Sequence, residues 1–174
     1  MRIGNWARIT CVVGALMAIS AASAAAIGLQ AETVLTDIKA QGARSVVARL
    51  YANTDQWNQV LAKIGHGSRK WLEVAAALRS GTDAGSSEAL DEAMFLALKT
   101  APVPVLRLLK EGSFETKAVC SSNIGTDYSV EQSRRFVKDR IKVLESVSGT
   151  EMLAVRNQCL QGLRAALSDL SRSN

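Results

Sequence analysis

The chain has 174 residues, 48% hydrophobic and 21% charged, with a formal charge of +5, a balance that suits a globular domain and excludes a disordered tail. Its single histidine, His66, and two prolines exclude the paired histidines of a zinc enzyme and a proline-rich ligand segment. So modest a positive charge gives no electrostatic footprint for nucleic acid.

The first residues read as a signal peptide. Met1–Arg8 carries Arg2 and Arg8 and no acid, Ile9–Ile19 is apolar, and small residues follow to Ala26. Ala22-Ser23-Ala24 and Ala24-Ala25-Ala26 both satisfy the small-x-small pattern of a cleavage site. The expected organisation is a signal peptide over 1–24, cut after Ala24 or Ala26, and a single helical domain over 25–174. A cut after Ala31 is a later alternative. The low-charge run to Leu29 is long enough for an uncleaved anchor, but its alanine and serine content suits one poorly. Arg8-Ile9-Thr10 before Cys11 is not a lipobox. Processing removes Cys11 and leaves Cys120 and Cys159, and an even count in an oxidising compartment favours one disulfide. The expected location is the periplasm or the exterior, with no stable membrane insertion of the processed chain.

The mature part shows helical periodicity almost throughout. Val46, Val47, Leu50 and Tyr51 form a short amphipathic piece. Trp57, Val60, Leu61 and Ile64 follow at i, i+3, i+4, i+7, with Asn53 or Thr54 as cap and Gly65 as stop. A helix opened by Ser68 carries Trp71, Leu72, Val74, Ala75 and Leu78 and ends at Gly81. The next starts near Ser86 or Ser87 and aligns Leu90, Met94, Ala97 and Leu98. Pro102 suits a first helical turn, and Val105, Leu108 and Leu109 follow before Gly112. Ser113–Tyr128 has no period and reads as a long loop. Ser129-Val130-Glu131-Gln132 has capping-box form ahead of Val137, Ile141 and Leu144, and Ser148-Gly149-Thr150-Glu151 repeats it. The last helix places Met152, Val155, Cys159, Leu163, Ala166 and Leu170 in steps of three and four. The expected fold is all-α, an irregular bundle or short helical array of about six to seven helices. The array stays open because Trp57-x-x-Val60 is echoed by Trp71-x-x-Val74.

The stretches Trp57–Ile64, Trp71–Ala75 and Gly81–Gly85 together resemble a family of small exported proteobacterial proteins, and Cys120 and Cys159 fit it too. The resemblance covers most of the mature chain. It implies a helical, disulfide-bonded periplasmic protein and no catalytic residue.

Three places invite a functional reading. Gly81, Thr82, Asp83, Gly85 and Ser86 join two helices, where glycines permit close approach and free N–H groups at a helix start bind anions. The same residues are turn and cap formers, and Asp83 and Glu88 oppose an anion. Arg134, Arg135, Lys138 and Lys142, with Arg140, make a basic stretch interleaved with Glu131, Asp139 and Glu145. Arg135 and Asp139 are i, i+4 partners, so the stretch is a solvated face or a surface for an acidic partner or anionic lipid. His66 lies in a Gly65-His66-Gly67 turn with no orienting acid at a telling spacing. Trp57 and Trp71 sit at core spacing.

No catalytic set, metal-ligand set or cofactor motif stands out. The leading expectation is a non-catalytic interaction, inhibitor or immunity-type module with a periplasmic protein partner. The alternatives are an envelope hydrolase using Asp83, Glu88, Asp91 or Glu92, and a lipid or small-ligand carrier. Those acids equally complement a helix dipole. A buried acid in a cleft favours the enzyme, an apolar cavity the carrier, and an exposed patch the interaction module.

Overall fold

Side-chain caps open three of the helices in the computed structural model, which describes residues 29–121 and 128–172. The expected signal peptide over 1–24 and its expected cut after Ala24 or Ala26 lie outside the described residues. Among these, the chain forms α1 (Ala31–Gln41), α2 (Ala43–Tyr51), α3 (Thr54–Gly65), α4 (Arg69–Arg79), α5 (Ala84–Ala97), α6 (Pro102–Lys110), α7 (Thr116–Val119), α8 (Val130–Ser146) and α9 (Leu153–Arg172), with no strand. The fold is all-α. Asn53 Oδ1 accepts the Gln56 N–H at 3.1 Å to cap α3, and Ser129 and Gln132 close the reciprocal box of α8. Pro102 opens α6.

The helix count corrects the expectation of six to seven, since nine are present among the described residues. α1 is one of the additional helices: Ala31, Val34, Leu35 and Ile38 carry the helical period, but they closely follow the small-residue run at 20–26, which masks it. Gly42, at φ +81°, turns the chain from α1 into α2 in a single residue. α7 is one short turn inside the stretch read as a loop, too brief to display a period. Two boundaries also move. α5 begins at Ala84, ahead of Ser86, because Asp83 caps it and Ser86 sits at the third helical position. α9 starts at Leu153, and Glu151 pairs with Lys110 at 3.2 Å instead of completing a capping box.

α1 packs on α2 and α4, α3 on α5, and α8 on α9, while α6 touches α4, α5 and α9. One hydrophobic cluster runs from Ala31 to Leu163, so the helices share a core as in a bundle. The tryptophan echo is not repeated in the packing. Trp57 is buried with Tyr51 edge-on to it, whereas Trp71 is half-buried beneath Lys63.

Two buried joints help fasten the α8–α9 hairpin to the rest. Arg140, only 3% exposed, is held with its guanidinium 4.8 Å from the Phe95 ring and 5.3 Å from the Phe136 ring. It donates to the carbonyls of Phe95 and Leu96 in the last turn of α5, where the helix dipole favours a cation. The second joint is the expected disulfide, Cys120–Cys159, with both residues buried. A Cβ on Gly162 would lie 2.6 Å from the Cys120 carbonyl oxygen, so glycine lets α7 reach the α9 backbone.

The bond spans 39 residues of sequence and stabilises by about 4 kcal/mol on the chain-entropy account. Cys120→Ser and Cys159→Ser should each lower unfolding free energy by about 2–4 kcal/mol in urea titrations. The double variant should be little worse than either single one, because one bond is shared. Gly162→Ala should cost about 1–3 kcal/mol with the disulfide intact. Unchanged midpoints would contradict this packing.

Candidate functional site

The α4–α5 junction gathers the residues Gly81, Thr82, Asp83, Gly85 and Ser86. Thr82 Oγ1 donates to the Arg79 carbonyl at 2.8 Å. Asp83 Oδ1 accepts the Ser86 hydroxyl at 2.6 Å and the Ser86 N–H at 3.3 Å, while Ser86 Oγ accepts the Asp83 N–H at 2.9 Å. The Ser86 hydroxyl, then its N–H, holds the Asp83 carboxyl below the usual range. The loop proper is therefore Gly81–Asp83, and Gly85 and Ser86 belong to the first turn of α5. Both glycines serve contacts within the chain. A Cβ on Gly81 would strike the Ala43–Arg44 backbone at the start of α2, and one on Gly85 would stand 2.9 Å from Tyr51 Oη. An anion at this helix start would meet the Asp83 carboxylate.

Beneath the junction lies a charged pair. Arg79 Nη1 stands 3.0 Å from Asp91 Oδ1 as an ion pair, out of hydrogen-bond alignment, and donates to the Ser87 carbonyl at 3.3 Å. The Arg79 guanidinium also covers the Phe114 ring at 5.1 Å. Burial pushes the Asp91 carboxyl up, Arg79 pulls it down, and Glu115 and Glu88 add to the rise. The pair ties α4 to α5 and to the segment before α7. It is a buried acid, as a hydrolase would need, but its carboxylate faces Arg79.

On α8 the basic face is smaller than its sequence suggests. Arg135, Lys138 and Lys142 are exposed, and Arg134 is half-buried, paired with Glu131 at 2.8 Å and donating to the Leu170 carbonyl. Arg140 leaves the face for the core. The expected Arg135–Asp139 pair is replaced by Lys99–Asp139 at 2.9 Å, whose hydrogen bond holds that carboxyl low. A partner from the turn after α5 outcompetes the local i, i+4 neighbour. Glu145 pairs with Arg164 at 2.8 Å. His66 is exposed at the end of α3, and its carbonyl accepts from Thr100 Oγ1 at 3.0 Å.

One concavity escapes sequence reasoning. Arg69, Leu72, Glu73 and Ala76 on α4 face Pro104, Arg107 and Leu108 on α6 across an open groove of about 320 Å³. Leu72, Ala76 and Leu108 make an apolar floor. Glu73 on the rim lies 3.0 Å from Lys70 and 3.5 Å from Arg69, and the Lys70 hydrogen bond above all holds its carboxyl low. The i, i+3, i+4, i+7 spacing of the α4 wall is present in the sequence, but only the pairing of α4 with α6 makes it a groove. A second groove of about 300 Å³, bordered by α6, α7 and α9, is bridged by Lys110–Glu151. Asp91 lines neither. Among the described residues no cluster of three or more His, Cys, Asp or Glu could hold a metal, and no helix is long and apolar enough to cross a membrane. No protein-family model, curated protein or solved structure matches the chain.

The raised Asp91 carboxyl makes a signed prediction. Because its folded pKa exceeds the unfolded one, ionising Asp91 opposes folding above the folded value and not below the unfolded value. Asp91→Asn should therefore gain stability relative to the parent as pH rises from about 3 to about 7 in paired urea titrations. A flat difference, or one of opposite slope, would contradict the burial argument.

Proposed function

We propose that the chain is an exported, non-catalytic interaction module of the inhibitor or immunity type, and that it meets a periplasmic protein partner along the α4–α6 groove. The groove carries this reading, since an apolar floor between charged rims is the anatomy of a protein contact. Val103, beside Pro104 in the chain, is an exposed apolar side chain at 39%. The carboxylates with shifted acidity, Glu73, Asp83, Asp91 and Asp139, all face partners in their own chain. Export rests on the Arg2/Arg8 leader and its small-residue cleavage sites, and the disulfide is compatible with an oxidising compartment. Kinship with the small exported proteobacterial proteins belongs to the same proposal.

The hydrolase alternative has Asp91 in its favour and the Arg79 pairing against it. A carrier would use an enclosed cavity, and both grooves described above are open.

In-cell photo-crosslinking from position 104, with position 142 on α8 as control, tests the proposal. The expected result is one discrete adduct from 104 and none from 142, recovered in the periplasmic fraction on a chain beginning near Ala25–Ile27. Equal labelling from both positions, or recovery of intact Met1 with membranes, would contradict it.

A further inference from the structure

We propose that the α4–α6 groove selects an acidic amphipathic helix of its partner, an inference that rests on the groove being the contact surface. Its two walls are helices whose backbone groups are bonded internally, so an extended strand would find no ladder to join. A helix needs none. It would lay a short apolar stripe over Leu72, Ala76 and Leu108, where the small Ala76 side chain leaves depth between two leucines.

Charge gives the sign of the partner's flanks. Glu73 is the one acid lining the groove, and Lys70 and Arg69 both stand on it. The Lys70 hydrogen bond keeps it ionised, so it is already neutralised within α4. On the opposite wall Arg107 is exposed and forms no ion pair among the described residues. Its planar fork of donors matches a carboxylate with two parallel hydrogen bonds. With Arg69, Lys70 and Arg107 against Glu73, the rims carry an excess of positive charge. A helix with acidic residues beside its apolar stripe satisfies both rims, whereas one with basic flanks is repelled at Arg107.

The test uses the disulfide-bonded, 15N-labelled protein and two synthetic helical peptides with the same leucine stripe, one flanked by glutamate and the other by lysine. The glutamate peptide should shift the amides of residues 69–76 and 104–108, with an affinity that falls as salt rises. Arg107→Glu, an exposed change with the fold intact by amide dispersion, should weaken that peptide by about tenfold and favour the lysine peptide. Equal binding of both peptides in the groove would overturn the acidic preference and leave the groove as a contact surface. If neither peptide moved those amides, both readings would be overturned. Shifts confined to Arg135, Lys138 and Lys142 would overturn the assignment by placing acidic recognition on α8.

Discussion

The Cys120–Cys159 bond fixes a helix that could not hold its place alone. α7 has four residues, well short of the length at which a helix persists in water. It nevertheless touches both α5 and α9, and the bond supplies the tie while Gly162 supplies the room. Arg140 makes the complementary joint from α8 to the end of α5. These two joints, with the α6–α9 packing and the Lys99–Asp139 and Lys110–Glu151 pairs, set the hairpin against the first seven helices. The groove depends on the same arrangement. α6 leads directly into the α7 segment and packs on α4, α5 and α9, so its spacing from α4 is set partly by what holds α7.

Buried charge in this molecule works by satisfaction within the chain. Arg140 has lost most of its hydration, which lowers its pKa, and it recovers backbone carbonyls and two aromatic faces in exchange. Arg79 and Asp91 pair midway along α5, where Arg79 also covers the Phe114 ring and donates to the Ser87 carbonyl. Such groups are poor sources of free energy, yet removing one member strands the other. Both therefore lock the relative placement of helices. The junction most suggestive of ligand binding in the sequence serves this purpose, with Gly81 and Gly85 admitting α2 to close range.

Features governed by neighbouring residues were legible in the sequence. The caps at Asn53 and Ser129, the proline start of α6 and the stripe from Met152 to Leu170 all depend on contacts within a turn or two. Arg140 was also readable: it shares its face with Ser133, Val137 and Leu144, the buried side of α8, although its basic neighbours drew it into the exposed row. What the sequence concealed was set by distant pairings. Lys99 takes Asp139 from across 40 residues, and Gly81 answers to a backbone nearly 40 positions earlier. The groove needs α4 and α6 to be neighbours, which no local pattern states. α7 is too short to have a pattern at all.

Hydrogen exchange on the parent and on the Cys120→Ala/Cys159→Ala protein tests most directly whether the disulfide positions the groove. Loss of the bond should speed exchange in α7, in α9 around residues 159–163 and also in α6, while α1 and α2 keep their protection. Faster exchange confined to α7, or spread evenly over every helix, would contradict the proposed path from the disulfide through α6 to the groove.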